Sequence, residues 1–571
     1  MSPLLFNTYY RYAELTAFIQ DFAARFPQLC RVTEIGKSYE GRAIWLLTLT
    51  NTDTGPDTDK PAFWVDANIH ATEVAPSICA LYAINKILNG YGTDPQITRL
   101  LDTRALYIVP RVNPDGAELY LQPEGHRRVR SSTRPYPFTE PRDGLHEHDI
   151  DGDQRILFMR LKDPNGAWKA HPDEPRLLIP RALDGSDSGP FYRLFTEGAI
   201  QNYDGLLIKE APAVEGLDMN RNFPVEWVTN AEQPGAGPYP TSEPEVRALV
   251  QFIVDHPNIT GAITFHTYSA VYLRPSSTRP DSDLPSQDLW TYQKLGEHVK
   301  RLTGYPAVPL YHDFKYHPKQ AIKGVFDDWM YDHIGVYSWT CELWSPQRAA
   351  GIDLSKRPEG SSGSGSRYID WYRDHPIEED VQLLKWVDEN TGGKGYVNWY
   401  TFQHPQLGEV ELGGWDWELI WRNPPPHLLE KEIAPHADLI VWQSLISPQL
   451  EFREVTATAL GEGVFRVRTV VQNSGWLPTY ITAQAKDKKL ARGLEFDLSL
   501  PEGATLMTGE LKVEAGQLEG RSTKHTIFWN SDPTDDRAKA EWVVRAAPGS
   551  EVTITAYQPR AGRVKAVVKL Q

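Results

Sequence analysis

Cysteine is scarce in this chain. Its 571 residues contain three, Cys30, Cys79 and Cys341, with no CxxC spacing and no way for all to pair. A disulfide-stapled fold is therefore excluded, and small buried thiols in a reducing compartment are expected. Long apolar runs are also missing: no stretch of about 18 apolar residues occurs, so no membrane span is expected. Met1 to Phe18 lacks a basic segment followed by an apolar run, so no signal peptide is expected and a cytoplasmic location is the default. Positive charge is the third deficit, with 59 Lys and Arg against 75 Asp and Glu, a net charge of −16. No global field attracts nucleic acid or an anionic membrane, and neither is expected as a partner. The one basic cluster, His126-Arg127-Arg128-Val129-Arg130, is too short for a nucleic-acid arm.

What is present is globular. Apolar residues make up 40% and charged residues 23%, with 18 Trp and 26 Tyr. The length predicts a large catalytic unit plus one extra domain. Helical periodicity over Tyr12 to Phe26 and Pro76 to Leu88 alternates with apolar strands at Ala43 to Thr50, Ala62 to Asn68 and Ala105 to Pro110. Such alternation predicts an α/β sheet with ligand-binding loops at strand ends. From about Gln122 to Gly216 the periodicity fails, which marks an insertion. A helix over Glu243 to Val254, a strand over Gly261 to Phe265 and a helix over Leu289 to Leu302 follow. Ser361 to Ser366 reads as a flexible surface loop, and Pro424 to Pro426 as a boundary. Beyond about His436 the pattern becomes all-β: Val464 to Val471, Leu494 to Leu500, His525 to Trp529, Ala540 to Val544 and Val552 to Tyr557 are short strands between turns. The expected organisation is a catalytic domain over 1–425, its insertion at about 122–216, and a β-sandwich over 436–571. The sandwich is expected to stabilise the chain or to dock a partner or second subunit, without chemistry of its own.

Chemistry concentrates at strand ends. His70 and Glu73, in Trp64-Val-Asp-Ala-Asn-Ile-His70-Ala-Thr-Glu73, lie three apart after an apolar strand and at the mouth of a helix. Imidazole and carboxylate are zinc ligands, and catalytic zinc keeps three protein ligands with one open position. His266 ends a second apolar strand, so it is placed to deliver the third. Glu342 ends a third, Tyr337-Ser-Trp-Thr-Cys-Glu342, where a carboxylate can take a proton from water and pass it to a leaving amine.

With these groups the chain resembles the M14 zinc metallocarboxypeptidases, and further segments agree in family order. Ile35-Gly-Lys-Ser-Tyr-Glu40-Gly-Arg42 matches the family's IGxSxEGR segment, Asn113-Pro114-Asp115-Gly116 its NPDG turn, and Asp218-Met-Asn220-Arg221-Asn222 its DxNRN segment. The resemblance covers roughly residues 7 to 390, apart from much of the insertion. It implies a mixed-sheet α/β metallocarboxypeptidase (phosphorylase/hydrolase-like) fold followed by the all-β sandwich. It further implies one zinc on His70, Glu73 and His266, Glu342 as general base, and Asn220 with Arg221 holding the terminal carboxylate of a peptide substrate, a task suited to a guanidinium fork. One arginine of the basic cluster should polarise the scissile carbonyl. Spacing from the NPDG turn selects Arg128, whereas the family's RxxR pattern selects Arg127; Arg128 is preferred.

Two departures from the family stand out. Its mobile Tyr is expected at Lys319 or Gln320, and Tyr316 comes three residues too early, which puts exopeptidase specificity in question. The insertion should rebuild one wall of the cleft. Within it, Asp149, Asp151 and Asp153 are spaced like the opening of an EF-hand calcium loop, but Gln154 and Arg160 replace its Gly and Glu. Asp327, at the x position of the xDW segment, resembles the carboxypeptidase B type and implies preference for a cationic C-terminal residue; the alternative is that Asp327 pairs internally with Lys319 or Lys323. Two other functions compete: a zinc amidohydrolase acting on peptidoglycan stem peptides or N-acyl amino acids, and an inert binding protein using the same cleft.

Overall fold

The computed structural model describes residues 3–123, 127–317, 319–356, 367–524, 526–528 and 531–571. Ser361 to Ser366, His126, and the ends of the segment His525 to Trp529 lie outside the described residues; 526–528 form no strand. At the centre is an eight-stranded mixed sheet, in the order Cys30–Lys37, Ala43–Leu49, Ala105–Val109, Ala62–Ala67, Ile259–Thr267, Tyr337–Leu343, Val271–Arg274, Ala307–Pro309. Its four middle strands are mutually parallel. Every residue of those four is buried, as parallel strands covered by helices on both faces require. That is why they read in the sequence as continuous apolar runs rather than as alternating ones.

Helix Pro426–Leu445 packs against both Ala75–Gly90 and Ser286–Thr303 beside this sheet. The Pro424–Pro426 run opens the last of them, which closes the apolar core through Leu429, Ile433, Leu439 and Ile440. Proline suits that place because the first turn of a helix has no use for its missing amide.

The insertion is not a loop. Its strands Phe158–Lys162, Tyr192–Thr196, Trp168–Ala170 and Leu178–Pro180 join Tyr396–His404 and Gly408–Trp415 in a six-stranded antiparallel sheet. The strands are short, and partners come from more than two hundred residues away, as in Glu411 opposite Arg160. Local periodicity carries little trace of such pairing.

The C-terminal region forms two four-stranded antiparallel sheets that share one core around Phe465, Phe496, Trp542 and Ile554. Leu494, Phe496 and Leu498 point inward, in line with the alternation of that strand. This sandwich is tied to the α/β unit by buried polar contacts. Asp288 accepts the amides of Ala483 (2.6 Å) and Gln484 (3.0 Å). Arg104, 1% exposed, donates to the Ser447 hydroxyl (2.6 Å), the Ser447 carbonyl (3.1 Å) and Gln449 Oε1 (2.7 Å). Burial pulls its guanidinium down to about 9. Arg104→Met should leave those acceptors unpaired and cost roughly 2–4 kcal/mol. Chemical denaturation should show the loss as an earlier transition, and an unchanged midpoint would mean the contacts contribute nothing.

Candidate metal centre

The site forms where the sheet changes direction. From strand Ala62–Ala67 the chain crosses to Ala105–Val109 on one side, whereas Ile259–Thr267 adds on the other. Ligands bind at the carboxyl ends of strands at such a switch point. His70 and Glu73 follow the first strand, His266 lies near the end of the second, and Glu342 sits directly opposite His266 in the parallel register.

The loop carrying His70 and Glu73 is held by amide side chains. Asn68, in left-handed conformation (φ 63°), donates from Nδ2 to the carbonyls of His70 and Glu73, both at 2.8 Å. Asn113 Nδ2 donates to Ile69 O (3.2 Å) and Ser131 O (2.7 Å) while its Oδ1 accepts the Gly116 amide. A Cβ on Gly116 would collide with Ala71 and the Ser131 carbonyl, which explains the glycine of the NPDG turn. Asp115 of that turn accepts Ser38 Oγ (2.7 Å), the Glu40 amide (2.7 Å) and Arg42 Nη1 (2.6 Å). The IGxSxEGR and NPDG segments therefore meet each other behind the site and do no chemistry. Helix Ala75–Gly90 lacks a capping side chain of its own. Asn423 supplies it from a distance: Oδ1 accepts the Val74 (3.0 Å) and Ala75 (2.9 Å) amides, and Nδ2 donates to Thr72 O.

The three donor groups converge. His70 Nδ1 is 2.9 Å from Glu73 Oε1 and 3.1 Å from His266 Nδ1, and His266 Nδ1 is 3.2 Å from Glu73 Oε2. All three residues are at most 4% exposed. Two imidazoles and one carboxylate, buried together with their donor atoms facing one point, are the ligand set of a catalytic zinc site. Behind them, Asp218 Oδ1 meets His70 Nε2 at 3.1 Å, and Thr264 Oγ1 meets His266 Nε2 at 3.3 Å. These contacts fix which ring nitrogen faces the centre. Burial works against ionisation of Glu73 and Asp218, yet His70 beside Glu73 and Arg130 beside Asp218 hold both well below the usual carboxylate range.

A cavity of about 510 Å³ opens onto the cluster, lined among others by Arg130, Arg221, Tyr268, Tyr316, Glu342 and Arg422. Burial, and then the charge of Glu73, push Glu342 well above its ordinary value, against the pull of Arg130 and Arg422. Asn220 sits behind the wall, its Oδ1 accepting the Phe326 amide at 2.9 Å. Asp327 is buried (1% exposed) and does not line the cavity, although its charge is felt by Glu342 and it feels that of Arg221. Neither of its carboxylate oxygens is hydrogen-bonded, and no ion pair to Lys319 or Lys323 forms among the described residues.

Three sequence expectations are redrawn by this geometry. Arg128 lies outside the cavity, paired with Glu147 (3.0 Å) and Glu418 (3.7 Å), and Arg127 turns to Glu215 (2.7 Å). Arg130 enters instead, with Nε 2.8 Å from Asp218 Oδ2 and Nη1 3.6 Å from Glu73 Oε1. Its carbonyl accepts the Ala71 amide, so the backbone ties it to the ligand loop. Tyr316 does line the cavity: its ring is 45% exposed, but burial of the hydroxyl end and the charge of Glu342 push the phenol up to about 12. The insertion, apart from Arg130, lines a neighbouring cavity of about 590 Å³ rather than this one.

The calcium triad expected from the sequence does not assemble: Asp153 pairs with Arg155, and Asp149 accepts the amides of Gly152 and Gln154. Asp149 and Asp151 instead gather with the buried Glu197, their carboxylate oxygens within 4.8 Å of one another, and nothing further supports calcium there. Asp218, Asn423 and Arg422 were not singled out from the sequence; only Asp218, inside the DxNRN segment, left a signal there.

The family model for zinc carboxypeptidases (Peptidase_M14) matches residues 15–354, and the chain belongs to that family. A second model, a domain of unknown function (DUF8731), matches residues 449–569. Carboxypeptidase A2 of Rattus norvegicus is 29% identical over 354 residues, covering 59% of this chain and 63% of the relative. Carboxypeptidase B of Astacus astacus is 27% identical over 343 residues, covering 59% and 86%. The chain thus spans less than two thirds of the length of the first of these relatives. Among solved structures, carboxypeptidase A from Helicoverpa armigera is similar at 20% identity and a TM-score of 0.39, covering 69% of this chain and 75% of that one. No helix among the described residues is long and apolar enough to cross a membrane.

Removing the group that orients His70 should loosen the metal. Asp218→Ala is expected to weaken zinc binding about ten- to hundredfold in chelator competition. Unaltered affinity would show that His70 needs no support.

Proposed function

We propose that this protein is a zinc metallocarboxypeptidase that releases a C-terminal residue from a peptide, with preference for a cationic side chain. The observation that carries the reading is convergence: His70, Glu73, His266, Glu342, Arg130 and Arg221 all border one cavity. Zinc held by the first three supplies Lewis acidity to a water molecule and to the scissile carbonyl. Arg221 receives the terminal carboxylate as a charge-assisted pair, with its Nη1 oriented by the Asn220 carbonyl at 2.7 Å. Arg130 donates to the carbonyl oxygen as negative charge develops there. Glu342 takes one proton from water as the new C–O bond forms and delivers it to the nitrogen as the C–N bond breaks. Its raised proton affinity suits both halves of that transfer. Tyr316, beside Glu342 and Arg221, lies where it can donate to the bound peptide.

The specificity rests on Asp327. A buried carboxylate without an ion pair is costly, and burial pushes this one up to about 6 against the pull of its own and the Asp328 amides, the Thr340 hydroxyl and the more distant Arg221. A substrate Lys or Arg side chain would relieve that cost, and an apolar one would not.

Two measurements test the reading. Glu342→Gln should bind zinc normally and lose turnover by about a thousandfold or more; retained activity removes Glu342 from the mechanism. For peptides ending in Arg, Phe or Glu, kcat/KM should rank Arg first, and Asp327→Ala should erase that ranking. The pH dependence has a definite sign. Asp327 titrates higher in the fold than in the unfolded chain, at about 3.9, so its contribution to stability is full below the unfolded value and lost as pH rises through about 6. Asp327→Asn should therefore raise the melting temperature at pH 8 more than at pH 4, and the Arg-over-Phe preference should grow as pH rises through 6. A flat preference across that range would assign Asp327 a purely structural role.

A further inference from the structure

We propose that Arg422 is a substrate-binding residue that selects an acidic side chain on the acyl side of the scissile bond; the proposal rests on the carboxypeptidase reading above. Arg422 lies beyond the segment matched by the zinc carboxypeptidase model, which ends at 354, yet it lines the metal-site cavity. It ends the helical stretch Trp417–Arg422, and its neighbours pin it. Trp421 is 2% exposed, Trp344 Nε1 donates to Ile420 O at 2.7 Å, and Asn423 is bonded to the backbone on both sides of Glu73. Trp344 itself follows Glu342 by two residues. The arginine is thus held by the strand of the base and by the loop of the metal ligand.

The guanidinium so placed lacks a directional partner. Its Nη1 is 3.9 Å from Glu73 Oε1, its Cζ is 5.2 Å from the centre of the Tyr268 ring, and it makes no hydrogen bond among the described residues. The other cations of the cavity are engaged: Arg130 with Asp218 at 2.8 Å, Arg221 with the Asn220 carbonyl at 2.7 Å, Arg373 with Asp370 at 2.6 Å. Arg422 is therefore a partly exposed charge on a pinned stretch of backbone, with its donors unspent and available to an anion. The identity of that anion follows from the layout. The departing residue uses Arg221 and the ground above Asp327. The rest of the peptide lies against the remaining wall, where Arg373 and Arg422 are the two cations. Along that wall Arg422 meets a side chain of the acyl half, and Asp or Glu matches it in charge and in the fork geometry of its donors.

The test uses the full-length zinc-loaded protein and N-acylated dipeptides that share a C-terminal Arg and carry Glu, Gln or Lys before it. The wild type should favour Glu over Gln by about tenfold in kcat/KM, with Lys the poorest. In Arg422→Met the Glu-to-Gln ratio should fall to about one, while Arg422→Lys should keep part of it. Zinc content and melting temperature of both variants identify misfolding, and if the Met variant misfolds, the Lys variant and Arg422→Gln decide. The same ratios are read by calorimetry on Glu342→Gln, alone and combined with Arg422→Met, which needs no turnover. If no dipeptide is cleaved but Glu binds Glu342→Gln more tightly than Gln in an Arg422-dependent way, the peptidase reading fails and the anion site stands. A ratio near one in the wild type, or one that survives Arg422→Met, overturns the proposal, as does absence of binding; Arg422 then serves only to pack on Tyr268.

Discussion

Everything around the site answers to one constraint: Glu73, 2% exposed, must stay ionised beside two imidazoles. An unpaired buried carboxylate would cost several kcal/mol and would take up a proton. Freedom to rotate away would be as damaging as protonation, so the loop needs rigidity as well as charge balance. Three asparagines supply it. Asn68, Asn113 and Asn423 each donate an amide N–H to the loop's carbonyls, and Asn423 also accepts its amides. Neutral side chains do this without adding charge next to the metal ligands. The charged work is left to Arg130 and Asp218, which compensate each other at 2.8 Å.

The chain is strongly anionic overall, yet the cavity at the centre gathers Arg130, Arg221, Arg373 and Arg422 against the carboxylates of Glu73, Asp218 and Glu342. Arginines are thus concentrated in the cleft out of proportion to the charge of the chain. Net charge argued against nucleic acid as a partner but gave no hint of this cluster of arginines.

The legible parts of the site were those on strands. His266 and Glu342 end fully buried runs, and His70 with Glu73 follow one, so apolar continuity located all four before any tertiary information. Buried parallel strands leave that mark because both their faces are covered. Arg130 was hidden because residues 127–130 carry no regular periodicity; counting from the NPDG turn assumes a connection length that this chain does not keep. The place of Tyr316 on the cavity wall was not legible for the same reason, since a loop can place one side chain from several sequence distances. The six-stranded sheet escaped notice because its pairs are short and remote, such as Glu411 with Arg160. Asn423 and Arg422 left no signal: nothing in Trp417-Glu-Leu-Ile-Trp-Arg422-Asn423 announces a loop 350 residues earlier.

That last contact bears on what counts as one unit of this chain. Helix Ala75–Gly90, which begins two residues after a metal ligand, is capped by Asn423, and helix Pro426–Leu445 packs along it. The match to the zinc carboxypeptidase model stops at residue 354, but the packed core stops no earlier than the helix ending at Leu445. Similarity and mechanics thus draw different borders on the same polypeptide. Shortening the chain to the matched segment would strip the cap from the helix beside Glu73, so the sequence beyond it is part of the machine rather than an accessory to it.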